Sequence, residues 1–156
     1  MSQPIVDTLD FHEPPTVQEQ FGLAIGEIGR SWRHKLDQRL KPLGLSQSKW
    51  RTLLYISRTR DGLTQTDLAR MLGIEAPTVT RLVKQLEDGG WVQRRALPGD
   101  ARCKVVHLAP KTKRTMRHID AEVAQLRAET IGRLTGKQAA AGLAVLQALQ
   151  RLLDDV

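Results

Sequence analysis

The chemistry of this chain is concentrated between Gln65 and Leu86, which reads Q-T-D-L-A-R-M-L-G-I-E-A-P-T-V-T-R-L-V-K-Q-L. On the outer face from Ala76 to Lys84 the polar groups are hydroxyls, a guanidinium and an amine beside small side chains, a set suited to touching base edges and phosphates. Ala69 is small where two helices would have to cross. Gly73, four residues on, tolerates the positive φ of a tight turn. Val79, Leu82 and Leu86 fall on the inner face of the following helix, and Leu68, Leu72 and Ile74 complete a small core. This is the spacing of a helix-turn-helix, whose second helix enters the major groove with its N-terminal residues leading. The outer-face candidates for DNA contact are Ala76, Pro77, Thr78, Thr80, Arg81 and Lys84. Just beyond, Asp100 is the only acid between positions 91 and 114, among Arg94, Arg95, Arg102, Lys104, Lys111, Lys113 and Arg114. A local excess of cations suits a polyanion. Arg94, Arg95, Arg102 and Lys104 join the candidates.

The elements that must position these groups follow from periodicity. Phe21, Ile25, Ile28, Trp32, Leu36 and Leu40 step by threes and fours and predict a first helix from Thr16 to about Leu40, stopped by Pro42. Ser46 caps a second helix carrying Trp50, Leu53, Leu54 and Ile56. Short helices follow over Thr64–Leu72 and Ala76–Asp88, the latter stopped at Gly89-Gly90. The period then changes to two. Strands are expected over Trp91–Arg95 and Arg102–Leu108, joined through a type II turn at Leu97-Pro98-Gly99-Asp100. This hairpin turns the helix-turn-helix into a winged helix, and a tip bearing Arg102 can place a guanidinium in a narrow minor groove. Pro110 opens a fifth helix with Met116, Ile119, Val123, Leu126 and Ile131 on its stripe. Thr135 and Gln138 form a capping box for a sixth, which carries Leu143, Leu146, Leu149, Leu152 and Leu153. The expected fold is thus mainly α with a small β wing: a winged helix-turn-helix of six helices.

The terminal helices, 16–41 and 110–153, are long and apolar on one face, and they flank a lobe at 46–109 too small to cover them. The economical solution is a two-fold homodimer through these helices. Residues 1–15 hold Pro4, Pro14 and Pro15 among acidic and polar residues with no Lys or Arg, and are expected to be a mobile acidic arm before a single domain over 16–156.

Composition removes other classes. The 156 residues are 40% hydrophobic and 26% charged, with a formal net charge of +7, the profile of a globular domain with a basic surface. Neither a membrane span nor a secretory leader is recognisable, so the expected compartment is the cytoplasm. A lone cysteine, Cys103, excludes an internal disulfide and a multi-cysteine zinc site. There is no HExxH, GxSxG or P-loop, so no catalytic set, metal site or cofactor is expected.

From Trp32 to Leu108 the chain resembles the MarR family of bacterial transcription regulators, nearest in appearance to its SlyA branch. The resemblance is carried by W-R-H-K-L-D-Q-R-L-K-P-L-G-L-S-Q from Trp32, T-Q-T-D-L-A from Thr64, G-I-E-A-P-T-V-T-R-L from Gly73, and G-D-A-R-C-K from Gly99. It implies a dimer on a pseudo-palindromic site in double-stranded DNA, acting as a repressor, with Arg102 in the minor groove and Asp100 orienting its guanidinium. It also implies a pocket for a small aromatic carboxylate, onto which Arg30, Arg33, Ser48 and Trp50 map. Two alternatives share the fold. One is a metal- or redox-responsive regulator, for which Cys103 lies between the cations Arg102 and Lys104. The other is a winged helix used only for protein contacts.

Overall fold

Thr16 begins the first helix, α1 (Val17–Leu40), by reciprocal capping: Glu19 N–H donates to its hydroxyl at 3.2 Å, while its own N–H donates to the Glu19 carboxylate at 2.7 Å. The computed structural model describes residues 14–156, so all but Pro14 and Pro15 of the expected acidic arm lies outside the described residues. Pro42 closes α1 within a 3-10 turn, Lys41–Leu43, as its missing N–H and fixed φ require. Ser46 accepts from Lys49 N–H and starts α2 (Gln47–Ser57). The lobe continues through β1 (Leu63–Thr64), α3 (Gln65–Leu72), α4 (Ala76–Asp88), β2 (Val92–Leu97) and β3 (Asp100–Leu108). Two helices return, α5 (Pro110–Glu129) and α6 (Gly136–Asp154), separated by a 3-10 turn at Ile131–Arg133. No helix of the described residues is long and apolar enough to cross a membrane.

Six α-helices and a small antiparallel sheet match the expected architecture, with two differences. The sheet has three strands in the order β1-β3-β2, because Leu63 and Thr64 pair with Val106 and Val105. Two residues are too short a run to display a period of two. The hairpin is also longer at its tip than expected, with Leu97 paired to Asp100 across Pro98-Gly99. Gly99 takes φ +86°, as the third position of a type II turn demands.

One core joins the lobe to the base of the long helices. Leu36, Leu53, Leu68, Val79, Leu86, Val106 and Ile119 are wholly buried in it. Thr52 is buried among them, its hydroxyl satisfied by the Ser48 carbonyl at 2.9 Å. The expected stripes divide at this point. Leu36 and Leu40 of α1 are covered, but Phe21, Ile25 and Ile28, about two to four turns before Leu36, are exposed in the single chain. Leu143, Leu146, Leu152 and Leu153 are exposed likewise, and α6 buries no residue. Ile131 leaves the α5 stripe because the helix has ended before it.

Candidate nucleic-acid interface

Thr64 positions α3 as Thr16 positions α1. Its hydroxyl accepts from Asp67 N–H at 3.1 Å, and its own hydroxyl and N–H donate to the Asp67 carboxylate at 2.6 and 3.2 Å. These two hydrogen bonds, the hydroxyl's foremost, hold the Asp67 carboxyl below its ordinary value. At the other end Gly73 adopts φ +66° and its N–H closes on the Ala69 carbonyl at 2.9 Å. A left-handed residue here reverses the chain with no side chain to strain it.

The next helix, α4, therefore crosses α3 and presents its N-terminus outward. Val79, Leu82, Val83 and Leu86 are buried, while Ala76, Pro77, Thr78, Thr80, Arg81 and Lys84 are exposed. Its N-cap residue, Glu75, makes no side-chain cap, but Pro77 has no N–H and Thr78 N–H turns back to the Glu75 carbonyl at 3.0 Å, so the first turn offers its exposed side chains and the positive end of the helix dipole. The hydroxyl of Thr80 lies 3.0 Å from the Ala76 carbonyl and 3.1 Å from Gln65 Oε1, so its single proton is engaged within the fold. Its methyl and lone pairs are what a partner meets. Arg81 makes no ion pair or side-chain hydrogen bond among the described residues, whereas Lys84 leans on Asp88 at 3.2 Å.

The wing sorts its cations. Arg94 donates to Glu87 at 2.5 and 3.0 Å, tying β2 back to α4. That contact holds the Glu87 carboxyl below its ordinary value and raises Arg94 further. Arg95 donates to the Gln93 amide oxygen at 3.0 Å. Arg102 and Lys104 are exposed and pair with no carboxylate of the described residues. Asp100 departs from its expected role in this structure. Its carboxylate accepts from the Arg102 backbone N–H at 3.0 Å and does not hold the guanidinium. At a two-residue turn that N–H is the nearer donor, so Asp100 shapes the hairpin instead. Cys103 is half-buried on β3.

Gln65 as the partner of Thr80 and Glu87 as the partner of Arg94 carry no local signal in the sequence. Lys111, one of the cations between 91 and 114, is engaged within the fold. Its ammonium sits 5.3 Å over the Trp91 ring and donates to the Gly89 carbonyl at 2.9 Å. The Thr112 hydroxyl donates to the Trp91 carbonyl at 2.6 Å, so the end of α4 is clamped to the start of α5. None of these contacts has a local signal in the sequence, unlike the Thr64–Asp67 pair, whose spacing is a capping-box pattern.

The four mapped ligand residues are not brought together by hydrogen bonds among the described residues. Arg30, Arg33 and Ser48 are exposed, and the Arg30 guanidinium lies along its own helix over Gly26. Trp50 is half-buried, with its Nε1 sealed off and without a hydrogen-bond partner among the described residues. No group of three His, Cys, Asp or Glu converges among the described residues as a metal ion would need.

A recognition helix with an open N-terminus, braced against a basic two-stranded wing, defines a winged helix-turn-helix DNA-binding protein. The chain belongs to the MarR family of transcriptional regulators. The MarR family model matches residues 43–102, from the start of the lobe to the wing. A solved transcriptional regulator, PA3341, is 37% identical over 87% of this chain and 99% of its own, with a TM-score of 0.77. Two more distant structures share the fold. CouR from Rhodococcus jostii RHA1, solved with p-coumaroyl-CoA, is 20% identical over 86% of this chain and 94% of its own, with a TM-score of 0.76. MepR from S. aureus, solved with DNA, is 22% identical over 87% and 98%, with a TM-score of 0.75.

Proposed function

We propose that this regulator is a SlyA-like repressor that binds a pseudo-palindromic operator as a homodimer and releases it to a small aromatic acid. The observation that carries the DNA-reading part is the open, outward-facing first turn of α4 beside a wing whose Arg102 and Lys104 have no carboxylate partner among the described residues. Ala76, Pro77, Thr78, Thr80, Arg81 and Lys84 read the major groove, Arg95 and Lys104 meet phosphates, and Arg102 enters the minor groove. Arg94, already paired with Glu87, braces the wing. The apolar groove between Phe21, Ile25 and Ile28 of α1 and Val145 and Leu146 of α6, about 380 Å³, receives a second copy. Two recognition helices then span half-sites one helical turn, about 34–36 Å, apart.

The ligand reading draws on CouR, which was solved with an aromatic acyl thioester. Arg30 and Arg33 of α1 pair with the carboxylate, and Trp50 and Ser48 of α2 meet the ring. Bridging α1 to α2 shifts the separation of the recognition helices by the ligand's differential affinity for the two states.

Genomic duplexes retained by the protein, sequenced with and without salicylate, test this. The expected result is an inverted-repeat consensus, retention that falls steeply with salt as counterions are released, and release by salicylate that Arg33→Ala or Trp50→Ala blunts. Salt-insensitive retention with no repeat would point to protein contacts and reject the DNA-reading assignment. Equal salicylate sensitivity in all three proteins would reject the pocket.

A further inference from the structure

Gln65 opens α3 and Thr80 lies in the second turn of α4, 15 residues further along the chain. The crossing of the two helices sets their side chains together. The Thr80 hydroxyl lies 3.1 Å from Gln65 Oε1 and 3.0 Å from the Ala76 carbonyl. A hydroxyl has one proton, so it is held between these two acceptors and none is left for a base. Among the described residues this is the one side-chain hydrogen bond that joins α3 to α4. With Oε1 turned to Thr80, the amide nitrogen of Gln65 is turned away from it. That nitrogen makes no hydrogen bond among the described residues, and it is not sealed off as Trp50 Nε1 is, so its two N–H donors open to solvent. The pair therefore has a fixed sense: amide donors from α3 beside the exposed methyl of Thr80 on α4.

We propose that Gln65 is a specificity-determining residue that reads, together with Thr80, one thymine of each half-site. In the major groove thymine presents the O4 acceptor and the C5-methyl group side by side. A Gln65 N–H donates to O4, and the Thr80 methyl packs on the C5-methyl. Cytosine fails on both counts, because an amino donor replaces O4 and faces the donors of Gln65, and there is no methyl. Guanine offers acceptors but no methyl. The Thr80 hydroxyl positions the amide: by engaging Oε1 it stops the group from turning round, which would present an oxygen and favour cytosine. The first helix of the motif then carries sequence information as well as support. The proposal rests on the assignment of α4 as the DNA-reading helix.

The test uses the full chain and the duplex that the wild type selects from a random pool. Each thymine of the half-site is replaced in turn by uracil, which lacks only the methyl, or by 5-methylcytosine paired with guanine, which keeps the methyl and replaces O4 by an amino group. At one thymine per half-site both replacements should weaken wild-type binding, the second roughly ten-fold, towards the lower end of the cost of one mismatched pair. Gln65→Ala should lose the penalty for 5-methylcytosine and keep that for uracil. Thr80→Ser, which retains the hydroxyl without the methyl, should do the reverse. Gln65→Glu, which places an acceptor where the amide nitrogen stands, should turn the preference towards 5-methylcytosine. These are ratios between duplexes, which a loss of folded protein leaves unchanged. The proposal is overturned if Gln65→Ala discriminates as wild type does at every thymine. It is equally overturned if Gln65→Ala weakens all duplexes by one factor, the mark of a phosphate contact without sequence information. A position that depends on Gln65 but holds cytosine would mean that the amide presents its oxygen, and would overturn the thymine assignment. A wild-type chain that selects no consensus would reject the DNA-reading assignment, and this proposal with it.

Discussion

Asp100 and Arg102 divide the work at the wing tip. The carboxylate fastens the Arg102 backbone N–H at 3.0 Å and so holds the turn, leaving the guanidinium uncommitted for its partner. The two substitutions should therefore differ in kind. Arg102→Ala removes a groove contact and should weaken operator binding by about 1–3 kcal/mol per half-site. Asp100→Ala loosens the turn and should cost less, and Asp100→Asn, which keeps an acceptor oxygen, less again. Affinities for the three variants across a salt series check this ordering. Equal losses for Asn and Ala at position 100 would mean that the carboxylate charge, and with it an ion pair in the complex, matters more than the turn. Neighbouring types along the chain made Arg102 legible as a candidate. The partner of Asp100 was not legible, because two donors of the same residue compete for it and only backbone geometry decides.

At the scale of elements, α3 depends on its first turn. With eight residues it is too short to be stable alone, and Thr64 and Asp67 satisfy its leading donors reciprocally. Thr64→Ala should lower stability by about 1 kcal/mol at neutral pH, the usual worth of an N-cap. The pH dependence has a definite sign. Asp67 is held below its ordinary value of 3.8 in the folded chain, so its contribution is complete above that value and is lost as pH falls through the folded one. The stability gap between wild type and Thr64→Ala should therefore narrow in acid. Denaturant unfolding of both proteins at neutral and acid pH measures it, and a gap that widens in acid would contradict the assignment. The clamp of Lys111 and Thr112 onto Gly89 and Trp91 matters at the same scale. It fastens the end of the recognition helix to the start of α5.

For the whole molecule, the unequal cover of the two ends is the governing feature. The lobe closes its own core, yet α6 buries nothing, and Ile28, Leu152 and Leu153 are each more than 60% exposed. A contiguous apolar face of this kind marks an association surface. Removal of residues 139–156 should give monomers or aggregates and abolish tight operator binding. Analytical ultracentrifugation of the truncated chain decides the point, and a soluble dimer of full DNA affinity would reject α1–α6 pairing.

The amino-acid sequence alone determined the order and type of the six helices and the two wing strands, because each is written locally. Apolar spacing marks the helices, Gly73 and Pro98-Gly99 mark the turns, and an inner face of Val79, Leu82 and Leu86 requires the outer face to meet something else. It also exposed the charge of the wing, since the cations at 94–104 are neighbours along the chain. Only the tertiary structure decided which of those cations are spoken for. Glu87 is seven residues from Arg94, and Gly89 is 22 residues from Lys111, separations at which no local period operates. The two-residue strand β1 and a cavity joining Arg60, Arg95 and Lys113 are likewise products of packing. They draw on α2, the wing and α5, which come together only when the shared core closes.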